Sequence, residues 1–286
     1  MISLVSASHY FQPVREGEPL PVLEQALVSV CRENFRRIDR FIQLALLGSA
    51  RCAAGHALRS DCGIYLGSGL GPMSNNIAVQ EQLVRDREIP KPFNFINTLG
   101  SAAGFYVARN LGLSGQNFFI SRRGASLEAA LSVAVADMAL GVTQQAMVGV
   151  VEEVTLPLKE HRLRQRLPED LPVAEGSHWL LLQTDTDGLR PVQFRRFVEF
   201  SGLEGFLRSN WNADDRLCCA HDMESRMVEI LQSRFPDSAP SDPDAAFHDN
   251  PEAAWVVGFA AGNKPGSLFL INGNSERGWF LLHLGA

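Results

Sequence analysis

Ser121-Arg122-Arg123-Gly124-Ala125-Ser126 constrains this chain more than any other stretch. It joins an apolar run, Phe118-Phe119-Ile120, directly to an Ala-rich helical stretch over 127–140. Strand, tight turn and helix in that order lift a side chain to a helix N-terminus. There the backbone N–H groups and the helix dipole lower a thiol's pKa. A nucleophile belongs in such a turn, and this one holds no cysteine. Two serines remain as candidates. Ser121 is an exposable position, while Ser126 falls where it would cap the helix. A hydrolase elbow reads G-x-S-x-G, and Arg123-Gly124-Ala125-Ser126-Leu127 lacks the second glycine. A structural turn serine is therefore weighed against a nucleophile at Ser121 or Ser126. Arg122 and Arg123 put two cations near a helix N-terminus, where positive charge is disfavoured. They should meet carboxylates from this chain or a partner, unless they are a plain surface pair.

Around that turn, apolar strands alternate with helical spacing, which predicts an α/β protein with a mainly parallel sheet. Strands are expected at 2–7, 63–67, 117–121, 145–151, 178–183, 252–260, 267–271 and 280–284. Helices are expected at 20–34, 40–56 (capped by Asp39), 75–87, 100–110 (stopped by Gly112 or Gly115) and 127–140. Residues 161–166, the densest basic stretch, read as a loop of solvated or paired charges. The segments 185–188 and 235–251 read as turn and exposed loop, and no internal repeat is evident.

At 286 residues the chain can bury a substantial core, and 45% hydrophobic with 20% charged residues is the balance of a water-soluble globular protein. A net charge of −6 with no basic face argues against nucleic-acid binding. No run approaches the 18 or so apolar residues of a membrane span, and no signal peptide precedes the first strand. The five cysteines have no C-x-x-C spacing, and the seven histidines are scattered, so no metal ion is expected. These features together predict a reduced, cytoplasmic protein. Gly67-x-Gly69-x-Gly71 follows a strand, but the third glycine comes one position early for a dinucleotide fingerprint, so no cofactor is expected either. Glu152 and Glu153 end a strand as neighbours on opposite faces, poorly placed for paired acid–base work, and a salt-bridged acid is the expectation.

In chain order, these pieces resemble a β-ketoacyl synthase of the thiolase fold. Arg37-Ile38-Asp39-Arg40-Phe41 is similar to the family's Arg-Met-Asp-Arg-Phe helix start. Gly63-Ile64-Tyr65-Leu66-Gly67-Ser68-Gly69 resembles its third-strand signature, and Asn110-Leu111-Gly112-Leu113-Ser114-Gly115 the turn before the active-site strand. Met147-Val148-Gly149-Val150-Val151-Glu152 stands where the family has Gly-Gly-x-Glu, and Ala174-Glu175-Gly176 resembles its Gly-Glu-Gly turn. The resemblance covers residues 37–184, with Ile271-Asn272-Gly273-Asn274-Ser275 similar to the family's final Asn-Ser loop.

The resemblance implies an α/β, thiolase-like fold with layered α-β-α architecture: an N-terminal half over 1–185 and a contracted C-terminal half over 186–286. It places the family's catalytic cysteine at Arg123 or Gly124, neither of which can accept an acyl group. The family's histidine motifs, His-Gly-Thr and Lys-x-x-x-Gly-His, are missing. What it then implies is a non-catalytic chain-length-factor-like subunit, similar to those of aryl polyene type II systems. Such a subunit pairs with an active ketosynthase through the strand 117–121 and meets an acyl carrier protein through the complex. Phe93, Phe95, Phe105, Phe118 and Phe119 become candidates for closing an acyl tunnel, with core packing as the plain alternative. Arg122 and Arg123 become candidates for the interface. The alternatives are a stand-alone acyltransferase or hydrolase using Ser121 or Ser126, and a homodimeric scaffold.

Overall fold

Asp39 caps the second helix as its position predicts: its Oδ1 accepts the Ile42 N–H at 2.8 Å. The structure, a computed structural model, describes residues 1–165, 167, 169, 172–184, 189–220, 223–235, 251–262, 265–276 and 278–286, with the side chains of 123, 251, 252 and 255 excepted. Up to residue 184 the chain runs β1 (Ile2–Val14), α1 (Glu24–Val30), α2 (Arg40–Ala53), β2 (Gly63–Gly67), α3 (Met73–Val84), α4 (Pro92–Ile96), α5 (Ser101–Leu111) and β3 (Asn117–Ile120). A 3-10 turn (Arg123–Ala125), α6 (Ser126–Ala139), β4 (Gln145–Glu152), α7 (Leu158–Gln165) and β5 (Val173–Thr184) follow. Then come β6 (Arg190–Phe197), α8 (Phe200–Asn210), β7 (Arg216–Cys219), α9 (Ser225–Arg234), α10 (Pro251–Ala261), β8 (Leu268–Asn274) and β9 (Gly278–Leu284).

The strands lie in the order β3-β2-β4-β5-β1-β6-β9-β8-β7. Within β3-β2-β4-β5-β1, only β5 opposes its neighbours: β2 is parallel to β3 and β4, and β5 is antiparallel to β4 and β1. The order β7-β8-β9-β6 repeats this pattern. β7 is parallel to β8, and β9 is antiparallel to both β8 and β6. The chain is thus a structural duplication whose second copy is shorter and has no counterpart of β3 among the described residues. Sequence alone shows no such repeat.

β1 and β6 meet at only two positions, Ser3 opposite Pro191 and Leu4 opposite Arg190, so β3-β2-β4-β5-β1 act as a first sheet and β6-β9-β8-β7 as a second, and packing makes five layers. α1, α2 and α5 cover one face of the first sheet through Leu27, Phe41, Leu44, Ala103 and Val107. α6 and α10 lie between the two sheets, burying Leu127, Leu131, Val256 and Val257. α8 and α9 cover the far face of the second sheet through Leu203, Leu207 and Leu231.

Several expectations are corrected. The sheet is mixed rather than mainly parallel, with three parallel and five antiparallel pairings, because each β5-type strand returns against its neighbours. Residues 252–260, expected as a strand, belong to helix α10. An apolar run buried between two sheets has no amphipathic period to betray its helix. The loop expected at 161–166 is largely α7 (Leu158–Gln165), with residue 166 outside the described residues. β1 and β5 extend beyond the predicted 2–7 and 178–183 because they pair along nearly their whole lengths, carrying polar residues in register. α1 is shorter than 20–34, and β6, α8, β7 and α9 fill a region where sequence predicted no elements. The segments 185–188 and 236–250 lie outside the described residues.

Candidate functional site

β3 delivers the elbow to the N-terminus of α6, pairing with β2 in parallel from Asn117 opposite Ile64 to Ile120 opposite Gly67. Gly67 is needed here: a Cβ would stand 2.9 Å from the Ser126 carbonyl oxygen. Ser126 is fully buried and is not the helix cap; Ala125 takes that position with no side-chain bond. Instead the Ser126 Oγ accepts the Arg122 N–H at 3.0 Å and donates to the Ser68 carbonyl at 3.0 Å, tying the elbow to the glycine turn after β2. Ser121 is exposed, and its Oγ donates to the Gly69 carbonyl at 3.3 Å. Both hydroxyls thus hold the turn in place.

Beside the elbow is a cleft of about 570 Å³ lined by Arg122, Gly124, Glu128, Val133, Asn272 and Phe280. Glu128, in the first turn of α6, is buried and accepts a hydrogen bond from Asn272 Nδ2 at 2.7 Å. The Arg122 guanidinium overlies the Phe280 ring at 6.0 Å, and Arg196 overlies the same ring at 5.7 Å. No carboxylate among the described residues forms an ion pair with Arg122, so the expected acid is not met within the described part of this chain. Arg123 opens the 3-10 turn.

None of the five phenylalanines lines this cleft. Phe118 is 41% exposed on β3 and stacks on Tyr65 at 5.8 Å. Phe119, next along the strand, points to the opposite face and meets Phe41 edge-on at 6.2 Å. Phe105 and Phe95 are largely exposed on α5 and α4, and Phe93 lies under the Arg37 guanidinium at 5.1 Å.

The motifs that carry the resemblance converge behind the elbow. Arg40 donates to both oxygens of the fully buried Glu175, through Nε to Oε2 at 2.6 Å and through Nη2 to Oε1. Burial raises the Glu175 carboxyl above its usual range, and the Arg40 guanidinium pulls it back. Glu152 accepts from the Ser68 hydroxyl at 3.1 Å and from the Gly69 N–H. Glu153 accepts from Ser74 N at 2.6 Å and Ser74 Oγ at 2.8 Å, anchoring the start of α3 with hydrogen bonds in place of the expected salt bridge. Burial pushes Glu153 up to about 8 and Asp39 up to about 6. The Arg40–Glu175 pairing was not legible in the sequence, whose only signal was a basic helix start and a Glu-Gly turn far apart.

Burial pushes the Cys52, Cys62 and Cys219 thiols up to about 12 and raises the Cys31 thiol, so these four are not activated. No metal-binding cluster and no helix long and apolar enough to cross a membrane occurs among the described residues. His221 and His248 lie outside the described residues. The basic stretch resolves into ion pairs, Arg164 to Glu160 at 2.7 Å and Arg162 to Glu16 at 3.5 Å.

Buried His161 accepts the Thr155 N–H on Nδ1 at 3.2 Å, and burial, with Arg164 and Arg162 nearby, pushes it down to about 4. The unfolded chain takes up a proton near the ordinary histidine pKa of about 6.5 that the folded chain refuses until about pH 4. Stability attributable to His161 is therefore present above pH 6.5 and is lost as pH falls through this window, by about 3 kcal/mol. Urea unfolding at pH 4.5 and 7 should show this slope for the wild type and a flatter one for His161→Gln.

No protein-family model and no curated protein matches the sequence. Among solved structures, "The ishigamide ketosynthase/chain length factor" is similar with a TM-score of 0.73 and 15% identity, over 99% of each chain. A type II PKS acyl-carrier protein in complex with its ketosynthase, AntDE:AntF, gives 0.64 and 12%, over 100% of this chain and 99% of that one. The ketosynthase ApeO in complex with its chain length factor ApeC, from Xenorhabdus doucetiae, gives 0.53 and 11%, over 99% and 100%. At these identities the likeness is one of architecture: the chain has the thiolase fold of ketosynthases and chain length factors.

Proposed function

We propose that this chain is a non-catalytic, chain-length-factor-like subunit that pairs with an active ketosynthase in carrier-protein-dependent chain elongation, of the fatty acid, polyketide or aryl polyene type. Its repeats correspond to halves at 1–185 and 186–286, and its working place is the cytoplasm. One observation carries the reading. β3, the strand that delivers the elbow, is an edge strand without a single charged residue, and the elbow it delivers has no cysteine. Protein edges left bare of charge, proline or bulge are templates for pairing with another strand. Phe95, Phe105 and Phe118 extend an exposed apolar surface on α4, α5 and β3.

The partner supplies the nucleophile and the histidines, and β3 pairs across the interface. Phe118 is the aromatic best placed to reach the partner's acyl tunnel from that edge. Co-expression with the ketosynthase encoded nearest to it, tagging only this chain, should yield a one-to-one complex by native mass. A clean homodimer with no ketosynthase bound would sink the proposal. Within the complex, Phe118→Ala should lengthen the product by at least one elongation unit, and an unchanged product would discard the gating role.

A further inference from the structure

We propose that α3 and α4 form one flap, latched to the sheet through Glu153 and Ser74, and that the latch loosens as Glu153 loses its proton. This does not rest on the reading of the chain as a paired subunit. Packing leaves the flap little else to hold it. α3 buries Val79 alone of its twelve residues, and α4 buries none. Leu83, Val84, Phe95 and Ile96 stand exposed along it. The two helices are tied to each other, since Asn75 Nδ2 donates to the Asn94 carbonyl at 2.7 Å. At the entry, Gly71 turns the chain at φ 68°, a conformation that suits glycine. At the exit, the buried Asn97 donates through Nδ2 to the Arg37 carbonyl at 3.0 Å. Between these ends, the first turn of α3 is fixed by Glu153, which accepts from both the Ser74 N–H and the Ser74 hydroxyl.

Glu153 follows directly on β4 and is 1% exposed. Besides Ser74, it faces Asp39 from the start of α2 and Glu175 from β5, and burial and both acids favour its protonated form. Arg40, the cation there, is engaged by Glu175. Glu152, the neighbouring acid, holds Ser68 and Gly69 instead. With the flap closed, the Glu153 carboxyl keeps its proton up to about pH 8. Lifting Ser74 away lets water reach it, and its pKa returns towards the ordinary 4.5. An opening that releases a proton is favoured by rising pH, by up to about tenfold per unit, and levels off above the closed-state value. The latch is therefore tightest in acid and loosest above about pH 8. Between pH 6.5 and 8 this effect stands apart from the other shifted groups. Asp39 at about 6 and His161 at about 4 titrate below that window, and the Cys52, Cys62 and Cys219 thiols at about 12 titrate above it.

Amide hydrogen exchange on the full-length chain reads the opening, expressed as protection factors so that the intrinsic pH dependence of exchange drops out. From pH 6.5 to 8, wild-type protection over 75–96 should fall at least about tenfold, while α2 and α6 change less than about twofold. Glu153→Gln can keep both bonds to Ser74 but has no proton to lose, so its flap should hold constant within about twofold. Ser74→Ala removes one bond and should lower flap protection about fivefold at pH 6.5. Wild-type flap protection that ignores pH, or that falls equally in α2 and α6, would overturn the proposal. So would a slope that survives Glu153→Gln. Protection untouched by Ser74→Ala would mean that this contact does not hold the flap, and would overturn it as well.

Discussion

Arg40→Ala is expected to destabilise the fold by about 3–5 kcal/mol, the cost of leaving a buried carboxylate without its partner. Glu175 is fully buried, and both of its oxygens accept from the Arg40 guanidinium. The same side chain also donates through Nη1 to the Pro21 carbonyl at 3.0 Å, closing the chain between α1 and the approach from β1. Removing it takes the Arg40 donor from three acceptors at once. The loss should depend on pH, with a determined sign. Burial already raises the Glu175 carboxyl, and without the guanidinium nothing pulls it back. A carboxyl raised in the folded state binds its proton more readily there than in the unfolded chain. Acid therefore relieves the variant, and its deficit relative to wild type should shrink as pH falls from 7 towards 5. Urea unfolding at both values measures this. A deficit independent of pH would mean that the cost is lost packing rather than a stranded charge. Arg40→Ala with Glu175→Gln should recover part of the loss at pH 7, because the amide can be buried without charge.

Gly149→Val is expected to cost about 3 kcal/mol or more, by forcing a side chain into occupied core. Gly149 on β4 lies directly opposite Trp179 on β5, and the indole folds over it. A Cβ at Gly149 would meet three ring carbons at 2.3–2.5 Å. From the other side, a Cβ at Gly48 of α2 would approach the same ring at 2.6 Å and the Ser177 Oγ at 2.2 Å. Trp179 is fully buried, and its Nε1 donates to Ser177 Oγ at 3.0 Å, so it has no room to withdraw and a hydrogen bond to lose if it does. The two glycines and the indole form one packing unit joining α2 to the sheet. A double-mutant cycle tests this directly. Trp179→Leu should be strongly destabilising alone, yet combined with Gly149→Val the losses should fall short of their sum by about 1–3 kcal/mol. Simple additivity would show that the ring relaxes away from the strand without hindrance.

Local chemistry was legible without the fold wherever a rule spans only a few residues. β2 occupies the predicted 63–67, Asp39 caps α2, and Gly112 ends α5 in the left-handed region at φ 72°. Each of these depends on contacts within about one helical turn or on the conformational freedom of one glycine. The absence of a cysteine from the elbow likewise needed no coordinates. Around the elbow, sequence put Ser126 at the helix cap, whereas it is the first residue of α6 behind Ala125, and it could not assign either serine its work. Ser126 reaches Ser68, 58 positions away, and that distance decides that it fastens two loops instead of capping a helix.

The same limit explains the larger corrections. α10 has apolar residues on every side because it is enclosed by two sheets, so its composition is that of a buried strand, and only its neighbours distinguish the two. The mixed sheet arises from the return of β5 and β9 against their neighbours, a matter of connection and not of any strand's residues. Arg40 and Glu175 stand 135 positions apart, and Arg122 meets a ring from the other repeat. The sequence by itself determined where the chain turns, where its helices begin and that its elbow carries no thiol, because those follow from short-range sterics and hydrogen bonding. Tertiary structure alone decided which charges are paired, which serines are buried and which edge is left open, because burial is set by what packs across the chain.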